Sequence, residues 1–202
     1  MKFCIFCLSR LITLIAISLI FAGCTHTVKS AELLPQMQAG SPLKSVSPKT
    51  FAFKDFKDAR GITDPLLFKT KDGPGEHKLD QPPAVILAIA IKKELERNGH
   101  MCIDYSPESK ADFIIEGNVY KYWHSFVQGL WSGTHTGKVA VKLTVSSVSD
   151  NNRVLTKNYQ GEYVLNSGRA PIWVTREVLG QAFLAMLKEI STDSELIEFI
   201  EK

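Results

Sequence analysis

Residues 112–149 read DFIIEGNVYKYWHSFVQGLWSGTHTGKVAVKLTVSSVS, and this stretch decides the fold. Its first third alternates: Phe113, Ile115, Val119 and Trp123 fall on one face of an extended chain, and Asp112, Glu116 and Asn118 on the other. Its last third alternates again through Val139, Val141, Leu143 and Val145. Period-two alternation over this length predicts half-buried strands, at 112–124 and 138–149. Asp150-Asn151-Asn152 reads as a turn, and 153–165 as a further strand with Leu155, Tyr159, Tyr163 and Leu165 inward. The three segments predict an antiparallel meander with one apolar face.

The flanks supply a cover for that face. Residues 84–98 follow Pro82-Pro83, repeat Leu87, Ile91 and Leu95 every fourth position, and stop at Asn98-Gly99. That is a buried amphipathic helix with a start and a stop. A second helix opens at Pro171 and runs to about Ile190, burying Leu179, Phe183, Met186, Leu187 and Ile190; a short last one carries Leu196, Ile197, Phe199 and Ile200. Thr50 to Phe56 and Met101 to Tyr105 read as strands, and 57–81, rich in Gly, Pro, Asp and Lys, as a long loop. The fold class expected is α+β: a two-layer sandwich. Its mixed, mostly antiparallel sheet has about five strands, with two main helices on one face plus a short C-terminal helix. Lys138, Lys142, Glu116, Arg153 and Lys157 are assigned to the wet face.

Residues 1–23 differ in kind. Lys2 and Arg10 are their only charges, Leu11 to Phe21 is apolar except for Thr13 and Ser18, and Phe21-Ala22-Gly23 leads into Cys24. A basic start, a short apolar core and small residues before a cut predict a secretory signal peptide. The core is short for a bilayer span, which needs about 20 residues, although Phe3 to Leu8 can extend it, and an uncleaved anchor is the alternative. Phe21-Ala22-Gly23-Cys24 resembles the lipobox of bacterial lipoproteins. That resemblance implies a diacylglyceryl group on the Cys24 thiol, and Thr25 rather than Asp after it implies the outer membrane. Several acyl chains on one residue hold a protein stably where one holds it marginally. The domains expected are therefore a leader at 1–23, a lipidated N-terminus and flexible tether at 24–49, and a single periplasmic domain at 50–202. A tether of this length has a mean reach of about 25–30 Å.

Loss of Lys2 and Arg10 leaves 22 basic and 21 acidic side chains, a near-neutral domain with no global field for nucleic acid. With Cys24 acylated, Cys102 has no partner for a disulfide, and Cys4 and Cys7 fall in the leader. Gly129-Leu130-Trp131-Ser132-Gly133 places its serine one position late for a nucleophile elbow. Neither a phosphate loop nor an H-E-x-x-H is present, and the carboxylates form no evident acid–base pair. The sequence thus points to no catalytic residue, no metal and no cofactor.

Three features remain as candidate sites. Residues 125–136 read as a glycine-hinged loop that carries Phe126, Leu130 and Trp131, large apolar groups that either fold back or await a partner. Asp58 and Arg60 point the same way if extended, as an exposed charged patch for a partner or as a local ion pair. His124 and His135 bracket the loop, as the start of a metal site or as exposed strand-end histidines.

The first strand leading into Asp58-Ala59-Arg60, the helix ending Leu95-Glu96-Arg97-Asn98-Gly99, the hairpin closing in Tyr159-Gln160-Gly161 and the Ala-Phe-Leu-Ala-Met-Leu helix at 182–187, taken with the lipobox, resemble the YajG-like family of bacterial lipoproteins. The resemblance covers roughly residues 20–200. It implies a small outer-membrane lipoprotein facing the periplasm, without catalytic residues to carry over. The expectation is a non-enzymatic envelope binding or accessory protein, held to the membrane by its lipid and contacting an envelope protein. The alternatives are a binding module for a lipid or cell-wall fragment and an unrecognised hydrolase. An apolar cavity between helices and sheet favours the ligand binder, and a filled core with an exposed 125–136 segment favours a partner.

Overall fold

The structure, a computed structural model, describes residues 26–30, 41–71, 77–150, 153–168 and 172–202. The expected leader, Cys24, Asn151-Asn152 and Pro171 lie outside the described residues. In chain order the elements are β1 (His26–Val28), a 3-10 turn (Pro42–Ser45), β2 (Thr50–Phe53), β3 (Lys57–Asp58), β4 (Leu67–Lys71), β5 (His77–Leu79), α1 (Pro83–Arg97), β6 (Met101–Asp104), β7 (Phe113–Gln128), β8 (Gly133–Ser147), β9 (Val154–Ser167), α2 (Ile172–Thr192) and α3 (Ser194–Glu201). The chain is α+β, as the alternation and the helical stripes predict.

Strand β7 is the spine of the sheet. On one side it pairs antiparallel with β8, which pairs antiparallel with β9. On the other side it receives β2, β3 and β4 one after another, all parallel to it. Beyond β2 lies β6, parallel, with α1 as the crossover. Beyond β4 lie β5, antiparallel, and β1, parallel to β5. The sheet is therefore larger and more mixed than the expected five mostly antiparallel strands. The difference comes from 57–81, read as a loop, which places β3 and β4 along the free edge of β7 and β5 beyond β4. These strands are too short to show an alternation of their own, and pairing rather than pattern makes them strands.

The covered face holds one continuous core. Phe51 stacks on Phe113 with ring centres 5.5 Å apart, and Val119, Val139, Val141, Leu143 and Tyr159 extend the layer. Helix α1 buries Ile86, Leu87, Ala90, Ile91 and Leu95 against it, and α2 buries Leu179, Phe183, Met186, Leu187 and Ile190. Where α2 crosses β9, a Cβ on Gly161 would lie 1.8 Å from the Ala182 carbonyl oxygen, so only glycine admits the helix at this depth. Helix α3 starts at Asp193, whose carboxylate accepts from Glu195 N at 3.0 Å and from the Tyr159 hydroxyl at 2.6 Å. Its Leu196 and Ile200 are buried, so this helix packs on the sheet.

Three assignments change. Lys157 and Arg153 turn to the helix side rather than the wet face: Lys157 donates to Asp193 at 2.8 Å, and the Arg153 guanidinium lies 4.6 Å over the Phe199 ring. The parity of β7 shifts at a bulge between Val119 and Lys121. One extra residue sends Tyr122 and His124 inward and leaves Trp123, expected inside, half-buried beneath Lys138 on the other face. Part of the expected tether is packed: Leu43 and Val46 are buried, and Ser41 Oγ donates to the Ser191 carbonyl at 3.0 Å. Two apolar side chains in a Ser-Pro setting suffice to dock a short turn whose composition alone reads as linker.

Candidate functional site

The segment 125–136 is a hairpin end, not a loop. Ser125 to Gln128 continue β7, Gly133 to Thr136 begin β8, and four residues close the turn, with Gly129 N donating to the Ser132 carbonyl at 2.8 Å. Extended backbone on both sides makes the tip a stiff projection. Its side chains divide. Phe126 folds back, its ring 4.5 Å from that of His135 and seated over Gly133, where a Cβ would stand 1.9 Å from the ring. Leu130 and Trp131 project outward, 94% and 92% exposed, with Val127 at 63% beside them. The even choice between folding back and exposure is thus resolved residue by residue.

Below Phe126 the two histidines meet. β7–β8 pairing brings His124 and His135 together, with Nε2 and Nδ1 3.0 Å apart and rings 5.2 Å apart at 18°. Both are buried, which corrects the reading of exposed strand-end histidines. The bulge turns His124 inward and the β8 alternation does the same for His135. One of the two facing nitrogens must carry the proton and the other accept it. Among the described residues no group of three or more His, Cys, Asp or Glu side chains is placed to hold a metal. The stack Phe126–His135–His124 braces the tip from the inner face.

Asp58 and Arg60 form an internal ion pair rather than an exposed charged patch. The Arg60 side chain is 2% exposed and donates to Asp58 through Nε at 2.8 Å and NH2 at 2.6 Å. Its remaining donors reach the carbonyls of Leu67 and Pro65, both at 2.8 Å. Burial pushes the Asp58 carboxyl up, but the hydrogen bonds and charge of Arg60 outweigh it and hold the group below the ordinary carboxylate value. The pair fastens 61–67 at the approach to β4. Burial also pushes the Cys102 thiol up to about 12, which makes it a poor nucleophile.

Sequence reasoning missed the depth of the His124–His135 pair because the bulge has no local signature. Phe51, Leu87, Leu179, Phe183 and Met186 are fully buried in the sandwich, and a half-open groove of about 360 Å³ lies between α1 and the end of β2, lined by Phe53, Phe56, Ala84, Ala88 and Lys92.

These features define a small α+β domain with a mixed sheet covered by helices on one face. Residues 55–201 match the family profile Lipoprotein_16, described as uncharacterized lipoprotein, and the chain belongs to that family. Membership marks it as a membrane-anchored lipoprotein of the cell envelope. Among the described residues no helix is long and apolar enough to cross a membrane. No curated protein matches the sequence. Among solved structures, protein XCC0632 from Xanthomonas campestris, of the DUF330 family, is similar at 14% identity and a TM-score of 0.58, covering 81% of this chain and 91% of its own. That likeness supports the fold. The hypothetical protein CT253 from Chlamydia trachomatis matches at 11% identity, TM-score 0.43, over 77% of this chain and 96% of its own. Lipoprotein GNA1162 from Neisseria meningitidis matches at 13% identity, TM-score 0.30, over 63% of this chain and 90% of its own.

Proposed function

We propose that this chain is a non-enzymatic, outer-membrane lipoprotein of the YajG-like type. It is lipid-modified on Cys24, its domain faces the periplasm, and it acts as an envelope binding or accessory protein. The observation that carries the reading is the near-complete exposure of Leu130 and Trp131 on a braced hairpin tip. A large apolar pair that the fold could have buried and instead displays is a contact surface. Arg60 and Asp58 serve the fold, and Phe126 supports the tip rather than touching a partner.

The test is photo-crosslinking in intact cells, with a crosslinking amino acid in place of Trp131 and a control at Lys142, which is exposed on the wet face. A discrete adduct at 131 and none at 142 is the expected result. Equal or absent adducts at the two positions would remove the tip as the contact.

A further inference from the structure

The start of β1 faces the same end of the molecule as the hairpin tip, and strand polarity shows it. Trp123 pairs with Lys69 in parallel β4, so Phe68 lies level with Tyr122. Phe68 pairs with His77, and His77 with His26. β1 is antiparallel to β4 through β5, so the chain reaches His26 from the side toward which β7 runs, the tip side. Cys24 is two residues earlier, within about 7 Å of His26 by chain reach. Gln128 stands about 20 Å beyond the level of Tyr122, and β1 lies about three strand spacings, or 14 Å, to the side of β7.

The hairpin at this end is uncharged, while β4 beside it sets Lys69 and Lys71 level with Trp123 and Ser125. From Tyr122 to Gly137 the hairpin contains no Asp, Glu, Lys or Arg, and Lys121 and Lys138 flank it. On the neighbouring strand β9, Tyr163 to Gly168 is uncharged too. Helix α2 starts at this end, because β9 pairs Ser167 with Gly133, and it adds Trp173, 57% exposed. Exposed tryptophans with a leucine, no acid at the tip and lysines set back along the strands match the side-chain order of a membrane–water interface. A protein-binding hot spot would equally use Trp, but nothing in it requires the lipid attachment and the apolar tip to share one end.

We propose that the component met by the tip is the bilayer that carries the anchor. Leu130 and Trp131 seat at the headgroup–acyl boundary of the leaflet that holds the Cys24 lipid, with Val127 and Trp173 at its rim. The inference rests on the lipid-anchor reading above. A membrane touching both points lies oblique to β7, so the domain leans on the surface instead of swinging on its linker. Two contacts hold an orientation that one lipid anchor leaves free.

The test uses the full-length lipidated chain in vesicles of phosphatidylethanolamine and phosphatidylglycerol, with and without phosphatidylcholine brominated near the headgroup end of its chains. Trp123→Phe with Trp173→Phe leaves Trp131 as the single tryptophan. A control chain adds Trp131→Phe and Lys142→Trp. Brominated lipid is expected to lower Trp131 emission by at least about twofold, the response of an indole at headgroup depth, and to leave the residue-142 reporter unchanged. No quenching at 131, or equal quenching at 131 and 142, overturns the bilayer seat. If 131 is unquenched but crosslinks one protein in cells, the binding-protein reading survives and the bilayer seat does not. If 131 neither quenches nor crosslinks, both fall.

Discussion

His100 is where acid first meets the core of this domain. It is 5% exposed, its ring stands edge-on to Phe51 with centres 5.3 Å apart, and its Nδ1 accepts the Lys49 backbone N–H at 3.3 Å. Burial holds its pKa below the ordinary 6.5; a backbone contact with Leu43 pulls the other way and the charge of Lys49 adds to the lowering. The unfolded chain therefore binds a proton that the native one refuses, over the interval from 6.5 down to the folded value. The stability that goes with a neutral His100 is complete above that interval and is lost as pH falls through it. One such group gives a slope of up to about 1.4 kcal/mol per pH unit. Urea unfolding at pH 7.5, 6.5 and 5.5 should show the midpoint falling with pH, and His100→Gln should flatten that fall. An unchanged slope in the variant would remove His100 as the source of the acid sensitivity. None of this is legible in the sequence, where His100 is the residue after a helix stop. By contrast, the two-residue spacing of Asp58 and Arg60 already implied that they could pair; what it could not show was the burial that makes the pairing structural.

At the scale of elements, the most sensitive contact is the crossing of α2 over β9. Gly161→Ala would drive a methyl group into the Ala182 carbonyl and the Met186 amide, 1.8 Å and 2.6 Å from the new Cβ. The helix must then lift away from the strand, and overpacking of this kind costs about 1–3 kcal/mol. Thermal unfolding should show a lower midpoint for Gly161→Ala, whereas Gly180→Ala, with open space around its Cβ and a helical position that favours alanine, should be neutral or stabilising. The same elements show what a sequence pattern carries. Long alternations and four-residue stripes predict β7, β8, β9, α1 and α2 with the right inward residues up to the bulge in β7, because burial of one face imposes the period. Three things escaped. The bulge at Tyr120 adds a residue without altering composition, and it turned Trp123 outward and His124 inward. The glycines at 129, 133 and 137 suggested a loop, yet two of them lie in β8, where they make room for Phe126 and for Val178. Strands β3 and β4 exist because β7 is long enough to leave an edge beside them, and β5 because β4 then offers its own edge, facts about the partners and not about their own residues.

For the whole molecule, the anchor and the tip do different work. An interfacial contact by Leu130 and Trp131 buries little area, and even a single myristoyl chain binds a membrane only marginally and reversibly. The tip can orient a domain already held at the surface but cannot hold it there. On the proposed anchor, stable attachment would come from acylation of Cys24: Cys4 and Cys7 would precede the cut, and Cys102 is partly buried with a raised thiol pKa. Cys24→Ala should therefore abolish incorporation of radiolabelled fatty acid, with the wild type strongly labelled. Fractionation alone would mislead here, because an unprocessed leader with its apolar Leu11–Phe21 core would itself keep the variant at the membrane. Acyl label separates the cases, since a retained leader carries none. Equal label in wild type and variant would move the lipid to another residue and detach the tip from any argument about a shared end. Loss of label with the fold intact, judged by an unchanged unfolding midpoint, would confine the lipid to the chain N-terminal to β1, whose start faces the same end of the molecule as the hairpin tip.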